Sequence, residues 1–130
     1  VRTLQPPTWA KPKGYANGIA AKGQLVFVAG MIGWNKDCQF ETHDFVGQVH
    51  QALSNIVAVV REAGGGPEHI VRLTWFVTDK REYLASLEHL GPVYREVMGR
   101  HYPVMSVLEV SALVEDAAKV EIEATAVIPE

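Results

Sequence analysis

Cysteine is nearly absent, with Cys38 alone among 130 residues. An intrachain disulfide is therefore impossible, and a cysteine zinc knuckle is excluded. A single thiol fits a reducing compartment, so the cytoplasm is the expected location. Long hydrophobic runs are missing too. No stretch approaches the ~18 apolar residues of a membrane span. The proline-rich opening, Val1 to Pro12, has no apolar run of the signal-peptide kind. Positive charge is also scarce: 12 Lys and Arg stand against 15 Asp and Glu, for a net charge of −3. A nucleic-acid binder carries a basic patch and a higher isoelectric point. Neither a membrane nor nucleic acid is an expected partner.

What is present describes an ordinary globular chain. Hydrophobic residues make up 48% and charged residues 21%, which excludes a disordered or low-complexity protein. A chain of this size buries about two thirds of its surface. Residues 1–130 are thus expected to form one domain with its own core.

Tyr15 to Ala21 and Gln24 to Ala29 read as two strands of a hairpin turning at Lys22-Gly23. Gly30 to Gln39 reads as a loop. Asp44 to Ala63 is the clearest helix. Phe45, Val49, Ala52, Leu53, Ile56 and Val60 form one apolar stripe, Asp44 can cap it, and Gly64-Gly65-Gly66-Pro67 ends it. His69 to Thr78 is β-rich. Asp79 with Glu82 has the spacing of a capping box. It opens a second helical stripe of Tyr83, Leu87, Leu90, Tyr94 and Val97, with a kink expected at Gly91-Pro92. Val104 to Leu113 and Lys119 to Ile128 read as the last strands, joined by the turn Glu115-Asp116. The order β-β-α-β-α-β-β predicts an α+β fold, a mixed sheet with two helices on one face. The other face is semi-apolar with nothing to cover it, which points to oligomerisation.

Most chemistry-bearing residues read as structural. The five histidines lack the i, i+4 spacing of a helical metal site, and no metal is expected. The glycine triplet follows a helix, whose C-terminus repels phosphate. No serine lies in a Gly-x-Ser-x-Gly elbow. Cys38, with Lys36 nearby, has no paired base. Glu121 and Glu123 share one strand face, either as a water-orienting acid/base pair or as partners of neighbouring cations. Trp34, in a glycine-containing loop, is a pocket wall or a packing residue.

An ordered set of segments carries a resemblance. Gly14-Tyr15-Ala16-Asn17-Gly18 is similar to a Gly-Pro-Tyr-Ser-Gln motif. Leu25 through Ile32 is similar to a "vfvSGQi" strand, and Gln48 through Asn55-Ile56 to a "Q…aleNi" helix. Pro103-Val104-Met105-Ser106 stands where Pro-Ala-Arg-Ser is usual, and Val120 through Ala124 resembles "vEIEa". Together these resemble the YjgF/RidA (Rid, endoribonuclease L-PSP) family over about Lys13 to Ile128.

The resemblance implies a chorismate-mutase-like fold and a homotrimer with a small-molecule cleft between subunits. It also implies cofactor-free deamination, the hydrolysis of enamines and imines such as 2-aminoacrylate to 2-oxo acids and ammonia. It assigns Glu121 the catalytic water and maps substrate contacts onto Tyr15, Gly30 and Met31; Asn17 stands where Gln or similar is usual, and Trp34 and Met105 are expected to bind substrate as apolar walls. The family's carboxylate-binding arginine falls on Met105. A thioether cannot replace a charge-assisted bidentate contact worth ~1.5–3 kcal/mol. Ala29 and Met31 stand where Ser and Gln are usual, and Gly91 where an asparagine is common. The expected ligand is therefore something other than 2-aminoacrylate. Either its enamine or imine is hydrolysed, or the protein is a non-catalytic, regulatory binder. His101, Asn17 and Arg100 are candidates to replace the missing clamp. Ribonuclease activity is disfavoured by the acidic charge balance.

Overall fold

The computed structural model describes residues 1–130. Six strands and three α-helices follow in the order β1 (Arg2–Leu4), β2 (Gly18–Ala20), β3 (Gln24–Ile32), α1 (Phe45–Glu62), β4 (Ile70–Val77), α2 (Lys80–Ala85), α3 (Leu87–Met98), β5 (Val104–Glu109) and β6 (Val120–Ile128). A four-stranded sheet runs β3-β6-β4-β5, and β1 pairs with β2 in a separate ribbon. β4 and β5 are parallel, while β6 runs antiparallel to both β3 and β4. The fold is α+β with a mixed sheet, as expected. No helix is long and apolar enough to cross a membrane.

The α1 stripe is the centre of the core. Val49, Ala52, Leu53, Ile56 and Val60 are wholly buried against Ile70, Leu73 and Val77 of β4 and Val120, Ile122 and Ala126 of β6. Asp44 caps the helix by accepting the Gly47 N–H at 2.9 Å. At the other end Gly64 takes φ +88°, and the N–H groups of Gly64 and Gly65 reach back to the Arg61 and Val60 carbonyls. Those paired bonds are the Schellman closure that a glycine past the helix end permits.

One polar side chain is buried within this core. Gln48 accepts the Lys119 N–H at 2.8 Å and donates to the Ala117 carbonyl at 2.9 Å. It therefore ties α1 to the turn that feeds β6. Gly33 lies so close that a Cβ there would sit 2.7 Å from the Gln48 Cα. The exit of β3, the start of α1 and the entry to β6 meet at this point.

Four expectations are corrected. The 15–29 hairpin does not form: β2 pairs with β1 across the tail, and β3 pairs with β6. Local turn chemistry at Lys22-Gly23 yields to a longer and better-buried partner. β3 also continues through Gly30 and Met31 to Ile32, residues expected in a loop. The second helical stripe breaks at Ser86 and not at Gly91-Pro92, giving three helices where two were expected. Proline crowds the Cβ of the residue before it, and Gly91 has none. Finally, Asp79 caps α2 through the Arg81 and Glu82 N–H groups, but Glu82 does not close the box. Its carboxylate pairs with Lys119 at 3.1 Å.

Tyr94 fixes the start of β5. Its hydroxyl donates to the His101 carbonyl at 2.7 Å, and its ring stacks on Tyr102 at 5.5 Å. Burial pushes its hydroxyl well above the ordinary tyrosine value of 10.0, and the neighbouring Tyr102 adds to the shift.

Two outcomes follow. Gln48→Leu leaves the part-buried Lys119 N–H and Ala117 carbonyl without their partner, so urea denaturation should show a loss of about 2 kcal/mol. Tyr94→Phe should cost about 1 kcal/mol near pH 8. The folded state holds the Tyr94 proton that the unfolded chain releases, so wild-type stability falls as pH rises above the ordinary value. The variant should decline less steeply, and the gap between the two denaturation curves should narrow.

Candidate functional site

Met105 faces the helices. It is paired with Leu73 across β4/β5 and packs half-buried against the core. Beside it opens a cavity of about 300 Å³ between β5, the two short helices and the segment before β2. Its walls are mostly apolar or aromatic: Trp75, Tyr83, Leu87, Leu90, Tyr94 and Tyr102 line it with Met105. Trp75 and Tyr83 meet edge to face at 6.1 Å. Desolvation raises the Tyr83 hydroxyl pKa as it does that of Tyr94. Both phenols stay neutral at ordinary pH.

Two cations also line this cavity, and neither was among the sequence candidates. Lys13 comes from the extended segment that leads to the Ala16–Val104 bridge. Arg95 comes from α3, and its guanidinium folds back over Gly91. His101, Asn17 and Arg100 do not line it. His101 Nε2 faces the Ile70 carbonyl, and Asn17 donates to Gln5 at 2.7 Å. Arg100 lines a neighbouring cavity of about 450 Å³, together with Tyr15 and Lys11. On the sequence alone Arg95 looks like a solvent-facing helix residue. The only signal was its i, i+4 spacing from Gly91.

The second group of residues lies at the β3 end of the sheet, with Glu121 on the face away from the helices. Between Val28 and Met31, β3 carries one extra residue against β6, so Ala29 and Gly30 both oppose Glu123. This bulge brings the Gly30 backbone under the Glu121 carboxylate. A Cβ at Gly30 would collide with the Glu121 Oε2 atom. Glu121 is half-buried on the face away from the helices, between Ile32 and Phe76. Met31 points to the helix side and packs on the core. Trp34 lies just beyond β3, 6.0 Å from Phe40, with its carbonyl accepting from Asn55 at 2.9 Å.

Within one chain the candidates therefore form two sets. Met105 lies in edge strand β5, which the Tyr15 segment borders, while Gly30 and Met31 belong to edge strand β3, with Trp34 just beyond its end and Glu121 alongside. Two strands separate the edges, and neither Glu121 nor Gly30 lines the Met105 cavity. The face between them exposes Leu25, Phe27 and Leu108, with Phe27 74% accessible.

Comparison with known proteins gives this geometry a lineage. The family model described as Endoribonuclease L-PSP matches residues 8–128. A RutC family protein of Synechocystis is 34% identical over 135 residues, covering 99% of this chain and 95% of its own. Escherichia coli TdcF, which carries the name of a reactive intermediate deaminase, is 31% identical over 116 residues, 87% of this chain and 85% of its own. The structure of YyfB from Yersinia pestis, a Rid-family protein of unknown function, superposes with a TM-score of 0.86 at 28% identity, covering 98% of both chains. TdcF with bound serine superposes at 0.69 and 29% identity, covering 98% of this chain and 99% of that one. With a family model over almost its whole length and relatives above 30% identity, the chain belongs to the endoribonuclease L-PSP family, the YjgF/RidA (Rid) proteins.

Proposed function

We propose that this chain hydrolyses an enamine or imine other than 2-aminoacrylate, releasing a carbonyl compound and ammonia. The observation that carries the reading is the pairing of Met105 with an otherwise well-formed aromatic cavity. The space is suited to a small molecule, yet no guanidinium rises from the sheet to grip a pyruvate-sized acid. The serine bound to TdcF is consistent with a small ligand in this fold.

Glu121 holds the attacking water over Gly30. Water adds to the imine carbon, and the carboxylate accepts its proton. That proton passes to the nitrogen to complete the carbinolamine, and the hydroxyl proton then moves through the carboxylate to the same nitrogen as the C–N bond breaks, leaving a carbonyl and ammonia. No cofactor enters these steps. For Glu121 to meet the Met105 cavity, the β3 edge of one copy must lie against the β5 edge of the next. Two different edges in contact form a heterologous interface, which closes into a ring. The exposed apolar sheet face supports such an assembly, and the family resemblance supports a ring of three.

Ammonia release from 2-iminopropionate should be close to background. Met105→Arg should raise kcat/KM at least ~10-fold, the equivalent of one charge-assisted contact. Wild-type turnover equal to that of an arginine-bearing Rid protein would overturn the reading. On an accepted enamine, Gly30→Ala should lower kcat ~100-fold with little change in KM, because the added methyl displaces Glu121. A second reading, a non-catalytic binder, is favoured by the Ala29, Met31 and Met105 replacements. A ligand that raises Tm while no enamine in a broad panel releases ammonia would establish it.

A further inference from the structure

The cavity beside Met105 carries its positive charge on the helix side. Arg95 lies in the last turn of α3, where a cation ordinarily serves the helix dipole by approaching the C-terminal carbonyls. Its guanidinium instead follows the usual lean of helical side chains towards the N-terminus. One terminal nitrogen lies 3.3 Å from where a Cβ at Gly91 would be, one turn towards the helix N-terminus. An asparagine at position 91 would crowd it out. Arg95 has no carboxylate within 4.0 Å, and nor does Lys13 across the cavity; the two ion pairs of the chain are His50–Glu96 and Lys119–Glu82.

The surroundings reinforce this. The cavity lining contains no Asp or Glu, and the neighbouring cavity, which shares Tyr102, contains none either. That second cavity adds Lys11 and Arg100. Four of the chain's 12 Lys and Arg thus gather around two adjoining hollows on a protein of net charge −3. Uncompensated cations over low-dielectric walls focus a field that draws anions. Below them the floor is Trp75, Tyr83, Tyr94 and Met105, with no charged group.

We propose that Arg95 and Lys13 are the carboxylate clamp of this cavity, and that its ligand is a carboxylate with a planar apolar body larger than a pyruvate-sized imino acid. This rests on the cavity being the ligand site assigned under the proposed function. The ligand's polarity is inverted relative to a sheet-borne arginine. Its charge sits at the helix-side rim, and its apolar end lies on Met105 and the aromatic floor. A guanidinium and an ammonium together suit a carboxylate, the former through paired N–H donors. The aromatic walls suit a flat conjugated body.

The test uses the full chain and trans-cinnamate as probe, with binding followed by calorimetry. Cinnamate should bind, neutral cinnamamide at least ~10-fold more weakly, and pyruvate more weakly than cinnamate, since the loss of one charge-assisted contact is worth about that factor. Arg95→Gln and Lys13→Gln should each reduce cinnamate affinity ~10-fold and leave cinnamamide unchanged. Gly91→Asn should mimic Arg95→Gln by displacing the guanidinium while keeping the charge. Arg81→Gln, on α2 outside the lining, should have no effect. Absence of cinnamate binding, equal binding of acid and amide, pyruvate binding as tightly as cinnamate, or an unaltered Arg95→Gln would each overturn the proposal. The readout is independent of turnover. Cinnamate binding as described without ammonia release from any enamine would defeat the hydrolase reading and leave the clamp standing. Enamine turnover with an unchanged KM in Arg95→Gln would do the reverse.

Discussion

The meeting of Gln48 and Gly33 governs where everything else sits. A buried amide is tolerated only when its donors and acceptors are used, and Gln48 uses both ends on the turn before β6. That turn sets where β6 begins, and so the position of Glu121 along the sheet. Gly33 lets the end of β3 pass against the same helix turn without a side chain between them. The Glu121 carboxylate and the glycine beneath it are therefore positioned by one contact that touches neither. The α1 stripe supplies the burial energy, and the amide supplies the register.

The strands on either side of β6 are both irregular. β3 has its bulge at Ala29 and Gly30, and β4 has one at Val71. Bulges bend and twist a strand locally. On β3 the bend exposes a backbone stretch under Glu121. The other edge is shaped differently: β5 is held by Tyr94 at the His101 carbonyl and by the backbone bond from Ala16 to Pro103. One edge presents an acid and bare backbone, the other an aromatic hollow rimmed by cations. These are complementary surfaces on one polypeptide.

Much of this was legible from residue order, and the exceptions have a common cause. α1 was readable at both ends because Asp44 and Gly64 act through local bonds. The inner and outer faces of β6 were readable because alternation is local as well. The pairing of β3 was not, since Lys22-Gly23 looks like a hairpin turn and only long-range burial sends β3 to β6. The end of β3 was hidden because Gly30, which signals a loop, here serves a bulge. Met105 and Glu121 could be singled out as candidates through the motifs that surround them. Arg95 and Lys13 could not. Whether a surface cation turns inward depends on the shape of its neighbour, and at Arg95 that neighbour is the missing Cβ of Gly91.

The bulge on β3 has a consequence for how this strand can vary. Val26 and Val28 face the helices before it, and Met31 faces them after it, so the inward positions change from even to odd. Side chains alternate with a period of two, and a one-residue slip exchanges the faces. Losing a single residue at Ala29 would therefore restore regular pleating with Val28 and Met31 both still facing the interior, opposite Ala124 and Ile122. The hydrophobic interior is thus indifferent to the extra residue, and what the extra residue shapes is the outer surface, where the Gly30 backbone lies against Glu121.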